Sequence, residues 1–232
     1  MPILSYILTA LGAYLLGSIP FGFLVAKAKG VDIRSVGSGN IGATNAMRVL
    51  GKPAGIFVLL MDAAKGFGAC YLGPFLCIYF APHFIMITPN GNVSVPLEQF
   101  VPPMEERFAI IAGIFAVLGH NYTCWLKFKG GKGIATTAGV YLALAPWAVL
   151  VSLVVFILAV VFTKYVSVGS IAAAVALPAT VWIMTPQNIF LGIVSTALGA
   201  LAIYKHKSNI QRLMAGTENR LGKKPSNAEA AK

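Results

Sequence analysis

Residues 134–204 form one apolar stretch interrupted by a single charged side chain, Lys164. A helix crosses the roughly 30 Å hydrocarbon core of a bilayer with about 20 such residues, and lipid offers no partner to an unbonded peptide group, so a run of this length must be several membrane helices. Ala145-Pro146, Thr163-Lys164 and Thr185-Pro186-Gln187 divide it into four, the first short for a span and suited to a tilted or partly buried position. Residues 3–26, 54–81 and 107–126 are three further apolar runs of spanning length. The expected fold is all-α, a polytopic membrane protein with seven transmembrane helices. Gly17-Ser18-Ile19-Pro20 predicts a kink near the end of the first, because Pro20 removes a helix hydrogen bond.

Composition agrees with this reading: 57% of residues are hydrophobic and 11% charged, against roughly 25% charged in ordinary soluble domains. Those figures exclude a soluble globule and a disordered chain. The formal charge of +11 would suggest nucleic acid in a soluble protein, but here it is first a topology signal, and no nucleic-acid partner is expected. No Lys or Arg precedes the first run, whereas Lys27, Lys29 and Arg34 follow it, the opposite of a cleaved signal peptide. The N-terminus is therefore expected outside and, after an odd number of spans, the C-terminus in the cytoplasm. Every Lys and Arg except Arg107 then falls at or near the cytoplasmic side, with Lys65 in the inner half of the second helix. Residues 82–106, rich in Pro, Asn and Gly and holding Glu98, Glu105 and Glu106, read as an outside loop. A single membrane domain is expected over residues 1–214, followed by a polar, disordered cytoplasmic tail over 215–232. Cys70, Cys77 and Cys124 lie in apolar surroundings with no metal spacing and read as small buried hydrophobes.

Orientation explains the basic residues but not the glycines and hydroxyls gathered with them. Gly37-Ser38-Gly39-Asn40-Ile41-Gly42-Ala43-Thr44-Asn45-Ala46-Met47-Arg48 combines a flexible backbone that can turn N–H groups into one concavity, two hydroxyls, and a guanidinium whose fork matches phosphate. It reads as an anion cradle. The string also matches G-x-G-x-x-G, but a dinucleotide fingerprint needs a strand before it, and here a kinked membrane helix precedes it. Lys127-Phe128-Lys129-Gly130-Gly131-Lys132-Gly133 puts amines and glycines just before a helix that begins at Ile134, a second phosphate-binding element at a helix N-terminus. It is not a Walker A loop. Tyr165–Ser170 and Tyr204–Asn209 are two further donor-rich edges on the same face, while Asp62 and Lys65, three apart, suit an ion pair inside the second helix. No Ser-His-Asp set can be assembled on the cytoplasmic side, the carboxylates are too few and the histidines too scattered for a metal site, and no cofactor is expected. An enzyme built from these parts must work through positioned cations and backbone donors.

The strings GSIPFG (17–22), GSGNIGATNAMR (37–48), DAAKG (62–66), GHNYTCWLKFKGGKG (119–133), YVSVGS (165–170) and YKHKSNIQRL (204–213) occur in the order typical of the PlsY family, which the chain resembles over nearly its whole length. The outside loop and the polar tail are its two departures. The resemblance implies a bacterial inner-membrane enzyme, its active site toward the cytoplasm, that moves an acyl group from acyl phosphate to the 1-hydroxyl of glycerol 3-phosphate. The products would be lysophosphatidic acid and inorganic phosphate, in the first committed step of phospholipid synthesis. It implies a soluble PlsX-type partner as the source of acyl phosphate. Carried over by position, it gives Ser38, Arg48, Lys132 and Ser170 as catalytic residues, and Gly39, Asn40, Thr44, Gly131, His206 and Asn209 as substrate and phosphate ligands. With no protein base in view, a substrate phosphate would take the hydroxyl proton. The alternative from the residues alone is a membrane transporter of a phosphorylated metabolite, for which broken helices and cationic cradles are equally useful; a scaffold binding anionic lipid would need the lysines but not the glycines or hydroxyls.

Overall fold

Where water cannot reach, a peptide group is best satisfied inside its own helix, and the computed structural model is accordingly helical almost throughout. It describes the backbone of residues 2–80, 86–88, 91–93 and 101–222 and the side chains of 3–75 and 106–222. Ten α-helices are found among the described residues: α1 (Pro2–Ser18), α2 (Phe21–Ala28), α3 (Ala43–Leu50), α4 (Lys52–Phe80), α5 (Val101–Asn121), α6 (Ile134–Leu144), α7 (Pro146–Thr163), α8 (Val166–Met184), α9 (Ile189–Lys205) and α10 (Lys207–Met214). The helices form two compact units, Met1–Pro146 and Trp147–Lys232.

The expected apolar runs are helical, the first as the two helices α1 and α2, and they differ in length. Among the described residues five segments are long and apolar enough to cross a bilayer: Ile3–Ala28, Lys52–Phe75, Glu106–Leu126, Pro146–Thr163 and Val166–Met184. A sixth arises if Ile189–Lys205 and Lys207–Met214, bent by 52° at His206, count as one. The seventh run, α6, has 11 residues, a rise of about 16 Å or half the hydrocarbon core. The breaks fall where the sequence places them. Pro146 opens α7 at the first helical position, Lys164 adopts a left-handed φ of 64° between α7 and α8, and the Asn188 side chain caps α9 by accepting the Leu191 N–H at 3.0 Å.

Two local expectations change. Within the expected outside loop, Met86–Thr88 pairs antiparallel with Gly91–Val93 as a small ribbon, and α5 begins at Val101 instead of near 107. Glu98 and the side chain of Glu105 lie outside the described residues. Of the expected tail, Ala215–Gly222 is described and held by hydrogen bonds to Arg212, Asn209 and Lys164, and residues 223–232 lie outside the described residues.

In the first unit α1, α4, α5 and α6 pack through small residues. Lipid tails are as apolar as leucine, so helices associate in a membrane by close backbone contact. Gly17 rests on the Ala116 backbone and Gly119 on Tyr14 and Ser18, joining α1 to α5; Gly66 rests on Thr136 and Gly139 on the Ala63 backbone, joining α4 to α6. Ala13, Ala69, Ala112 and Ala116 form a fully buried centre, while Ile3, Leu4, Ile7, Leu11 and Leu15 are exposed along α1. The pattern suits a hydrocarbon surround.

The kink expected at Pro20 is a complete break between α1 and α2, and its freed carbonyls are taken up from neighbouring segments. The Thr123 hydroxyl donates to the Ser18 carbonyl at 2.6 Å and the Lys65 ammonium to the Ile19 carbonyl at 2.8 Å. The packing gives a paired test: Gly139→Leu, whose side chain would enter the α4 backbone, should destabilise the protein by about 1–3 kcal/mol or more. Gly68→Leu, which meets nothing within 4 Å, should leave thermal unfolding in detergent near that of the unaltered protein.

Candidate active site

The first glycine-rich loop is built around one side chain. Asn45, buried on α3, accepts the Ser38 N–H at 2.8 Å and donates to the carbonyls of Ile33 at 3.2 Å and Val36 at 3.1 Å. Gly37 and Gly39 have φ of 61° and 69°, a left-handed conformation that other residues rarely adopt, so the turn depends on them. Asn40 directs its side-chain oxygen to the Gly42 N–H at 2.7 Å and so shapes the entry to α3. Thr44 and Arg48, four apart, are exposed on one face of α3, and neither side chain has a hydrogen-bond or ionic partner among the described residues. Ser38 is half-buried and Gly39 exposed.

The loop's other guanidinium is engaged. Arg34 grips Asp32 through two nitrogens, at 3.0 and 2.8 Å, and lies 4.9 Å from the Phe23 ring centroid. Its hydrogen bonds hold the Asp32 carboxyl down at about 2. Arg48 is therefore the available arginine.

The second loop is folded back against the end of α5. Its Cys124–Leu126 turn is followed by left-handed Lys127 and Phe128, after which the Gly130 N–H donates to the Asn121 carbonyl at 3.2 Å and the Gly131 N–H to the His120 carbonyl at 3.0 Å. Gly131 is buried and Lys132 half-buried. Gly133, with φ of 83°, leads into α6, whose first N–H groups have no partner within the helix. Leu126 from this loop shares one apolar core with Ile33, Ile41, Ala46 and Val58, so both loops stand on the same foundation.

In the second unit Ser170, His206 and Asn209 are all buried. Ser170 donates back to the Val166 carbonyl of its own helix at 3.0 Å. A carbonyl only accepts, so the 2.7 Å contact between His206 Nδ1 and the Ala202 carbonyl places the ring hydrogen on Nδ1. Asn209 donates to Glu218 at 2.7 Å, and Arg212 grips the other oxygen of that carboxylate at 2.7 Å. Among the described residues no group of three His, Cys, Asp or Glu could hold a metal ion.

Sequence reasoning missed Asn45 as the strut of the first loop and Glu218 altogether, because Glu218 falls in the expected tail. The signal was Gly216, which takes a φ of 68° after α10 and turns the chain back, with the Thr217 N–H bonded to the Arg212 carbonyl at 2.8 Å. The Leu221 N–H then reaches the Lys164 carbonyl at 2.8 Å. Burial pulls the Glu218 carboxyl upward, but the hydrogen bonds from Asn209 and Arg212 and the charge of Arg212 outweigh it and hold the group below the ordinary glutamate range. A depressed folded value means that the stabilisation from Glu218 is present above the unfolded range near 4.3 and fades as pH falls through the folded one. Glu218→Gln should unfold at a lower temperature than the unaltered protein at pH 7, and thermal scans at decreasing pH should show the gap closing only in acid below that range.

These features can be set beside known proteins. The family model described as glycerol-3-phosphate acyltransferase matches residues 7–216. Curated glycerol-3-phosphate acyltransferases from Shouchella clausii and Geobacter sulfurreducens are 43% and 44% identical, covering 96% and 92% of this chain and 98% and 96% of their own. The crystal structure of PlsY, an integral membrane glycerol 3-phosphate acyltransferase, in its glycerol 3-phosphate form is 36% identical, with a TM-score of 0.77 over 94% of this chain and 96% of that one. Its lysophosphatidic acid form gives 35% and 0.75. The chain belongs to the glycerol-3-phosphate acyltransferase family of integral membrane enzymes.

Proposed function

We propose that the chain transfers an acyl group from acyl phosphate to the 1-hydroxyl of glycerol 3-phosphate. The hydroxyl oxygen bonds to the acyl carbon, the bond from that carbon to the phosphate oxygen breaks, and lysophosphatidic acid and inorganic phosphate leave. The observation that carries this reading is the pair of glycine-shaped loops on one apolar core. One carries Arg48, uncommitted among the described residues, and the other sets Lys132 beside the open N-terminus of α6. Both substrates bear phosphate, and these groups suit it.

In this reading Arg48 and Lys132 neutralise phosphate charge, Ser38 and Thr44 donate hydroxyl hydrogens, and the backbone at Gly39 and Gly131 completes the cradle. Asn40 contributes by shaping the turn, since its side-chain oxygen is engaged by Gly42. Ser170, Asn209 and His206 orient the acceptor. The hydroxyl proton passes to a substrate phosphate, whose second pKa near 6 suits it to the task. The positions of the basic residues support an N-terminus outside, α6 as the shortest of seven membrane segments, and an active site toward the cytoplasm of the bacterial inner membrane. There a soluble PlsX-type enzyme would supply the acyl phosphate.

Purified protein in lipid, given acyl phosphate and glycerol 3-phosphate, should release phosphate only when both are present; release without ester formation, or uptake of glycerol 3-phosphate into vesicles without release, would overturn the reading. Arg48→Ala and Lys132→Ala should each lower kcat/KM by about 10²–10³. Arg34→Ala, whose guanidinium is already held by Asp32, should stay within a few fold. His206→Ala should raise the KM for glycerol 3-phosphate; an unchanged KM with abolished turnover would instead make His206 the base.

A further inference from the structure

Beneath the second loop lies a cluster of ionisable side chains that the proposed reaction does not use. Asp62 and Lys65, one turn apart on α4, form an ion pair of 2.8 Å with side chains 3% and 2% exposed. His120, at the end of α5 and also buried, brings Nδ1 to 3.5 Å from the same Asp62 oxygen. Lys65 reaches on to the Ile19 carbonyl at 2.8 Å, in the break between α1 and α2. On its other side His120 carries the loop itself. Its carbonyl receives the Gly131 N–H at 3.0 Å, and Gly131 lies so close to the imidazole that a Cβ there would run into Nε2 and come 2.8 Å from Cε1. The next residue is Lys132.

Ionised groups are expensive inside a membrane segment, and a purely structural joint could be made from apolar residues, as the glycine and alanine contacts between the same helices are. The charge here connects two places where the backbone leaves helical geometry: the α1–α2 break and the loop ahead of α6. We propose that Asp62 is a positioning residue for the second loop: its carboxylate fixes the His120 ring against which Gly131 rests, and so sets the place of Lys132 and the grip on phosphate. Lys65 neutralises the carboxylate and ties it to the helix break. The inference rests on the assignment of the 130–133 loop to phosphate binding.

Four proteins test it: the unaltered enzyme, Asp62→Asn, the doubly altered Asp62→Asn/Lys65→Met, and His120→Gln. Asp62→Asn alone leaves a buried ammonium without its partner and should lose both thermal stability and activity. The double variant removes that ammonium. Its melting temperature should recover part of the loss seen in Asp62→Asn, short of the unaltered enzyme because the Ile19 carbonyl has lost its donor, while its KM for glycerol 3-phosphate stays at least tenfold raised and kcat changes by less than threefold. His120→Gln, with the ion pair intact, should show the same rise in KM. As a readout independent of turnover, the concentration of inorganic phosphate that half-saturates thermal stabilisation should rise at least tenfold in both. A double variant, or a His120→Gln variant, that handles glycerol 3-phosphate and inorganic phosphate as the unaltered enzyme does would overturn the proposal and leave the cluster a structural joint. Should the unaltered enzyme bind inorganic phosphate yet show no transfer, the functional reading fails while the positioning role is still decided by the phosphate titrations.

Discussion

The constraint on which this structure depends is that a peptide group in hydrocarbon has no water to turn to. While the chain is helical the constraint is silent. It becomes visible wherever the helix stops, because each freed carbonyl then needs a donor brought from another part of the sequence. At the α1–α2 break those donors are the Thr123 hydroxyl and the Lys65 ammonium, from segments more than forty residues away. The break therefore recruits α4 and the end of α5 to one point, and the second loop starts from that point. A proline near residue 20 thus bears on the geometry of a loop at residue 130.

A second regularity concerns which cations are already engaged. Arg34 is spent on Asp32, Lys65 on Asp62 and Ile19, and Arg212 on Glu218. Arg48 has no such partner among the described residues. An excess of positive charge says little about function in a membrane protein, since orientation alone demands it. The partition into neutralised and available cations says more, and it arises only in the folded chain: Arg34 and Arg48 look equivalent in the sequence, fourteen positions apart beside the same glycines.

That contrast marks what can be read from the chain. Helix ends were legible because Pro146, Lys164 and Thr185-Pro186-Gln187 act locally, through backbone geometry, and the interruption at Pro20 was legible, as a kink, for the same reason. The shortness of α6 was legible too, from the distance between Gly133 and Pro146, which leaves it the composition of a membrane helix at half the length. The two loops were legible as anion sites from residue type alone, yet their struts were not. Asn45 looked like one more polar loop residue until its three hydrogen bonds could be seen. Glu218 was lost because a polar, charged segment beyond the last apolar run resembles a solvated tail. Only its fit to Asn209 and Arg212 distinguishes it.

The proposed chemistry gives these buried supports their importance. An enzyme with a protein base can tolerate some looseness, because proton transfer to a nearby histidine or carboxylate still lowers the barrier. One that relies on cations, hydroxyls and backbone N–H groups draws its rate from where those groups stand before the reaction begins. Gly39 and Gly131 carry no chemistry of their own. Their contribution is to let backbone approach what a side chain would keep away, and Gly131 achieves this by resting on the His120 imidazole. The residues that fix such contacts then belong to the catalytic apparatus even though they touch no substrate. On this reasoning the ionisable groups kept inside the membrane segments, costly as they are, stand where catalysis is most sensitive to position.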